Sequence, residues 1–279
     1  MTETRVVLTA FDRPEMLWHC LSNIRKADRP DNLRITIRLD TGYDRDIHRI
    51  LADFTDMPID VSVAPKHPFH RSTKQSANVL GGLYMACQRA HPDSIVHLIE
   101  DDVIVGPDHF TFSAKAHAQA DYFAVITSDN CNGGEETEHP GTGLKTSHGT
   151  YRGIGVSFRA DAFLAHIGPH IRPEYYLNPR AYIRSILTPD PFKGAWIEQD
   201  GLIRRIQMRE GMPPIAYAMQ PRSYHAGYYG KNRPGKRPHG TLSQRIDAVG
   251  AVIYSPDEMR EKSVREGYYL DSIPITFDR

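Results

Sequence analysis

Three consecutive acids, Glu100-Asp101-Asp102, stand between the apolar runs Ile95-Val96-His97-Leu98-Ile99 and Val103-Ile104-Val105. Carboxylates this close repel one another and lose solvation beside apolar strands, so a cation must compensate them. A hard divalent ion does so directly. Magnesium or manganese takes one or two carboxylates and completes its shell with water and substrate phosphates. An acidic triplet can also be a solvated turn. The flanking strand-like runs favour metal binding here, because they put the triplet at the carboxyl edge of a sheet.

Other residues could act with it. Glu198 and Asp200 precede the helix-spaced apolar positions Leu202, Ile203 and Ile206, where acids serve either a helix N-terminus or proton transfer. His225 lies in Ser223-Tyr224-His225-Ala226-Gly227, ahead of a basic stretch with Lys231, Arg233, Lys236 and Arg237. Those cations could close over a diphosphate as a lid, or form a solvated charge run. The turn Thr9-Ala10-Phe11-Asp12-Arg13-Pro14 opens a helix, so its amides and Arg13 could meet a nucleotide's base or diphosphate. Lys74, Gln75 and Asn78 are further donor-facing candidates on a later helix. Asp40 is another, although before Thr41-Gly42 it also reads as turn chemistry.

The elements that must position these groups alternate. Arg5–Thr9, Ile35–Leu39, Ile59–Val63 and Ile95–Ile99 read as strands. Between the first two lies a helix entered at Pro14, with Leu17, Cys20, Leu21 and Ile24 at helical spacing. Ala77, Leu80, Leu83, Tyr84 and Cys87 share a face of another helix before the fourth strand. The pattern predicts an α/β fold whose mixed, mainly parallel sheet is flanked by helices, with ligands at the strands' carboxyl ends. The second half is less regular. Tyr122–Thr127 and Ile154–Phe158 read as strands, Asp200–Met208 as a helix, and Tyr224–Gly240 as a loop with almost nothing to bury. One domain over residues 1–279 is expected, with 1–127 as its nucleotide-binding half and 128–279 as its acceptor and catalytic half.

Lysine plus arginine equals aspartate plus glutamate at 34 each, which excludes a surface basic throughout but allows a local basic patch. Apolar runs are strand-sized, no secretory signal is evident, and no membrane span is expected. Cys20, Cys87 and Cys131 are isolated, so a reducing cytoplasm is the expected location.

The segment Glu100-Asp101-Asp102-Val103-Ile104-Val105-Gly106-Pro107-Asp108-His109-Phe110 resembles the "EDD…PDFF" segment of GT-A (Rossmann-like) glycosyltransferases, nearest the N-acetylglucosaminyltransferase I family. Three stretches follow in the family's order. Thr127–Gly133 is similar to its "SAWNDNG", Gly153–Phe158 to its "PGLGWLL" and Ala195–Arg204 to its "FWDDWMR". The resemblance covers roughly residues 5 to 227. It implies that Asp102 binds manganese (or magnesium) and that Glu100 and Asp101 touch the donor's ribose and sugar. It makes Asp200 or Glu198 the general base, Asp200 being taken first, and gives Asp40 a place at the uracil of a UDP-sugar. The broader GT-A class implies His225 as a second metal ligand.

The expected activity is transfer of a sugar, with inversion, from a nucleotide-diphosphate donor to a hydroxyl acceptor. A glycan, a small molecule or a hydroxylated DNA base would all serve as acceptor. The basic stretch Lys231–Arg245 is the feature that favours a phosphate-rich one. Two alternatives share the fold. A sugar-1-phosphate nucleotidyltransferase needs a glycine-rich loop after the first strand, and Thr9–Pro14 has no glycine. A binding module without catalysis would not need the acids and His225.

Overall fold

The computed structural model describes residues 3–66, 73–128, 136–230 and 233–253, with Arg233, Pro234 and Ile253 described by backbone only. Strand β1 (Thr4–Ala10) is the centre of the parallel half. It pairs in parallel with β2 (Leu33–Leu39) on one side and with β4 (Ile95–Glu100) on the other, and β3 (Ile59–Val63) extends β2. Alternate β1 residues face opposite layers. Val6, Leu8 and Ala10 pack under helix α1 (Pro14–Lys26), while Val7 packs under α3 (Lys74–Arg89). Burial on both faces is why the central strands β1 and β4 read as apolar runs.

Pro14 opens α1, where its missing N–H costs nothing, and Arg25 and Lys26 close it against the helix dipole. Met16, Leu17, Leu21 and Ile24 are fully buried, each worth about 1.5–3 kcal/mol, which outweighs the weak intrinsic stability of a 13-residue helix. A short helix α2 (Asp46–Ala52) joins β2 to β3.

After β4 the chain forms β5 (Val103–Val105), α4 (His109–Gln119) and β6 (Ala124–Ile126), then β7 (Glu136–His139), β8 (Leu144–Ser147) and β9 (Val156–Arg159). Helices α5 (Ala160–His166), α6 (Pro173–Leu177), α7 (Pro179–Ile186) and α8 (Gln199–Gln207) precede β10 (Ile215–Ala218). The nine-stranded sheet has the order β3-β2-β1-β4-β9-β6-β10-β8-β7. Strand β9 runs antiparallel to both β4 and β6, and β10 pairs in parallel with β6. The sheet is thus mixed, as expected. The strand order reverses between β1 and β4, which opens a crevice at their carboxyl ends.

One expectation fails. The stretch Tyr224–Gly240 is not a loop with nothing to bury. It contains part of β11 (Ser223–His225), then β12 (Tyr229–Gly230) and β13 (Arg233–Pro234), and Tyr224, Ala226 and Tyr229 pack with Met16, Ile104 and Val249. Tyrosines supply the apolar surface that its glycines and prolines concealed. Helix α9 (Leu242–Ile253) then packs on α1.

Candidate functional site

The crevice between β1 and β4 is built from backbone register. Thr9 stands opposite Glu100, and the Asp101 amide donates to the Thr9 carbonyl at 3.0 Å. The acids therefore leave β4 where the turn into α1 leaves β1. Arg13, the last residue before α1, lies across both aspartates: Nη1 reaches Asp102 Oδ2 at 2.5 Å and Nη2 pairs with Asp101 Oδ1. Thr9 and Ala10 are buried, and Phe11 is exposed. The Arg13 fork is held by the triplet and supplies part of the positive charge that the triplet requires.

His225 completes the corner through β11. This strand pairs antiparallel with β5, placing His225 opposite Val103, and the Ala226 amide donates to the Asp102 carbonyl at 2.8 Å. The ring Nε2 is 3.0 Å from Asp102 Oδ2. Strand β11 is itself fitted tightly: Gly155 adopts φ +58°, and a Cβ there would collide with Ser223 and Thr127, whose hydroxyls are 2.7 Å apart.

Charge in the corner is unevenly distributed. Burial pushes the Glu100 carboxyl up, and neighbouring Asp102, Asp200 and Asp101 push it further. Burial also raises Asp101, against the opposing pull of Arg13. Burial would raise Asp102 too, but His225 and Arg13 outweigh it and hold this carboxyl well below the usual range. Asp102 remains ionised, and its Oδ1 is buried without a hydrogen-bond partner.

That orphaned oxygen is the test of fit for a metal. An ionised carboxylate with an unused buried oxygen, beside an imidazole, offers one hard and one borderline ligand. Among the described residues no group of three His, Cys, Asp or Glu forms a protein cage. The pair suits an ion that takes its other ligands from phosphate and water, as magnesium and manganese do.

A cavity of about 890 Å³ opens beside this corner, and Glu100, His225, Glu198 and Asp200 all line it. Asp200 lies in the first turn of α8, half-buried, while Glu198 is exposed just before it. Burial raises the Asp200 carboxyl to about 6, opposed by the Gly153 amide and Arg152 and helped by Glu198. The start of α8 is fixed from α3. Ser76 Oγ accepts from the Gln199 amide and donates to Gln199 Oε1, each at 2.9 Å. It is fixed from below by Arg205, fully buried, which forks onto Asp190 at 3.0 and 3.1 Å and donates to the carbonyls of Ala195, Trp196 and Gly201.

The other expected positions have these surroundings. Asn78 is buried and its Oδ1 accepts from Arg38 Nε at 3.0 Å, which ties its carboxamide to the core beneath β2. Asp40 accepts from the Thr41 amide at 2.8 Å, as turn chemistry requires. Lys231 and the Arg233 side chain lie outside the described residues. Arg237 is not a cation waiting to close over a ligand: it pairs with Glu15 at 3.1 Å and Asp44 at 2.7 Å. Cys20 and Cys87 are buried free thiols, and Cys131 lies outside the described residues. Sequence reading gave no role to Arg152, Arg204 or Trp196, all of which line the cavity. Their position inside or beside the quoted motifs was the available signal.

No protein-family model and no curated protein matches the sequence. The likeness is structural. Residues 1–349 of S. aureus TarS, in complex with UDP, match with a TM-score of 0.50 at 11% identity, over 90% of this chain and 64% of that one. This chain has a glycosyltransferase fold. The same TarS fragment with UDP-GlcNAc gives 0.49 at 11% identity, over 90% and 65%. The mannosyltransferase PcManGT from Pyrobaculum calidifontis, in complex with GDP-Man and Mn2+, gives 0.35 at 15% identity, over 46% and 36%. The chain thus spans just under two thirds of the TarS fragment. The match at a TM-score of 0.50 carries the glycosyltransferase fold and not the narrower N-acetylglucosaminyltransferase I family. Among the described residues no helix is long and apolar enough to cross a membrane.

Proposed function

We propose that the chain is a metal-dependent, inverting glycosyltransferase that moves a sugar from a nucleotide-diphosphate donor to a hydroxyl acceptor within one catalytic domain. A UDP-sugar is the first choice of donor. The observation that carries the reading is one cavity shared by Glu100, His225 and Asp200, next to an ionised Asp102 with a buried oxygen to spare. The β1 and β4 ends would receive the nucleotide and Glu100 the donor sugar, with Arg13 keeping Asp101 and Asp102 in place. Asp102 and His225 would hold the ion. A bound manganese or magnesium ion supplies positive charge to a departing diphosphate.

Asp200 is the base in this reading, with exposed Glu198 second. Its carboxylate takes the proton of the acceptor hydroxyl. The acceptor oxygen then bonds to the sugar's anomeric carbon from the face opposite the diphosphate. The carbon–oxygen bond to the diphosphate breaks, and its electron pair leaves with the diphosphate. A carboxyl raised to about 6 is ionised at neutral pH yet more basic than a surface aspartate, which suits general-base work.

A panel of UDP- and GDP-sugars, assayed with and without manganese, tests this. Release of UDP or GDP that requires manganese is the expected result. Conversion of the donor to UTP or GTP and a sugar 1-phosphate when pyrophosphate is added would identify a nucleotidyltransferase, and no turnover of any donor would leave only a binding module.

A further inference from the structure

The basic side chains beyond His225 that the structure describes are largely spoken for: Arg237 holds Glu15 and Asp44, and Arg245 holds Asp46. Two further cations line the cavity. Arg152, between β8 and β9, and Arg204, one turn after Asp200 on α8, both line it, and neither forms an ion pair among the described residues. Arg204 is only partly exposed, and its Nε is buried without a partner. Its guanidinium carbon lies 4.7 Å from the Phe192 ring and 5.2 Å from the Trp196 ring. A guanidinium stacked this way keeps its in-plane N–H donors at its edge, the geometry that grips two oxygens of one anion.

Trp196 is held at this mouth deliberately. It is 56% exposed and adopts φ +51°, a left-handed conformation that persists only where its surroundings enforce it. Arg205 supplies that constraint by binding the Trp196 carbonyl, and Gly201 lets the same carbonyl press against α8. A desolvated Arg204 without an ion pair is costly, Arg152 adds a second positive charge close to it while also acting on Asp200, and an exposed aromatic face beside them is idle without a ligand.

We infer that Arg152 and Arg204 bind a phosphate carried by the acceptor, with Trp196 as a stacking surface for the group next to it. The inference rests on the proposed glycosyltransferase reading and adds the acceptor's chemical class. Under that reading the donor diphosphate occupies the Asp102–His225 corner. An anion at Arg204 lies instead on the helix that bears the base, where the acceptor hydroxyl must be presented. The phosphate could be terminal or internal to a chain, and the probes below separate these.

The experiment is a binding titration of the full chain saturated with UDP and manganese, read by tryptophan fluorescence in a Trp18→Phe background that leaves only Trp196. The probes are ribose 5-phosphate for a terminal phosphate, thymidylyl-thymidine for an internal phosphodiester, and ribose as the neutral control. At least one phosphorylated probe is expected to bind, and ribose to bind at least about tenfold more weakly. Arg204→Gln and Arg152→Gln should each weaken the phosphorylated probe by about tenfold or more, and Arg204→Lys should recover part of that loss. The UDP response of each variant serves as its folding control. Equal binding of ribose and both phosphorylated probes, no binding of any of them, or variants that leave the preference unchanged would overturn the inference alone. A wild-type chain that binds neither UDP nor any other nucleoside diphosphate would overturn the glycosyltransferase reading, and the inference with it.

Discussion

The imidazole of His225 stands 3.0 Å from the carboxylate of Asp102, although 123 positions separate the two residues along the chain. Their meeting is a consequence of backbone pairing between β11 and β5, in which Val103 faces His225. Replacing either side chain should leave this pairing intact and remove one ligand of the proposed ion. Asp102→Asn and His225→Ala are each expected to weaken manganese by about 100-fold or more, as the loss of even an indirect metal contact can cost that much. Titration of manganese in the presence of UDP, followed by calorimetry, measures this. Wild-type manganese affinity in both variants would remove the ion from this corner.

Asp200→Asn should lower turnover by about 10²–10⁴ while donor binding survives, the range for loss of a positioned general base. Glu198→Gln should cost far less, since Glu198 is exposed at the mouth. If the two variants exchange these magnitudes, Glu198 is the base.

The same carboxyl fixes a pH profile. Asp200 must be ionised to accept a proton, and its pKa is raised to about 6. The rate under donor and acceptor saturation should therefore be flat at neutral pH and fall tenfold per pH unit below about 6. An unshifted aspartate would hold the plateau down to about pH 4. Initial rates from pH 5 to 8 distinguish the two.

Stability should follow a separate acid limb set by three histidines behind the sheet. His97, His109 and His117 are buried, and burial lowers all three, His109 and His117 to about 4. His97 and His109 have ring centroids 5.1 Å apart, and both nitrogens of His97 lack partners. The unfolded chain binds these protons near pH 6.5, whereas the folded chain resists them, at His109 and His117 until about pH 4. Stability is thus full above about pH 6.5 and declines as pH falls through that window, by about 1.4 kcal/mol per pH unit for each such histidine. Urea midpoints at pH 7 and pH 5 would show it. A midpoint unchanged between them contradicts the burial of the three neutral rings.

Arg205→Leu should destabilise the fold by about 3–5 kcal/mol, because Asp190 would be left charged with 7% of its side chain exposed. Thermal unfolding measures the loss. It should also free the Trp196 carbonyl, so tryptophan fluorescence should shift in the folded variant before any unfolding begins.

The parallel half of the sheet was legible because its inner strands are buried on both faces and bounded by clear turns, as Val6–Leu8 illustrates, and its edge strand Ile59–Val63 alternates. The position of the acid triplet followed from that alone. Arg13 was visible as a residue near a ligand edge, but that its fork spans Asp101 and Asp102 depends on the β1–β4 register, which local pattern does not specify. Tyr224–Gly240 was misread for a related reason. Tyr229 is buried through contacts with α1, more than 200 positions away, and no periodicity within the segment announces them. Asn78 has the composition of a ligand contact, and only the structure shows Arg38 on its carboxamide. Arg152 and Arg204 were hidden for the opposite reason: what marks them is their place on one cavity with Asp200 and Trp196, which emerges only in three dimensions.

Glu15 sits wholly buried in the first turn of α1, where it takes the Tyr229 hydroxyl at 2.6 Å and the Arg237 guanidinium at 3.1 Å. This clasp ties the beginning of the chain to a segment made far later. As the protein leaves the ribosome, Arg13 can settle on Asp101 and Asp102 once β4 has emerged, long before His225 exists. In order of synthesis, arginine is therefore available to these acids before histidine, and Tyr229 and Arg237, which clasp Glu15 just beyond β11, come last.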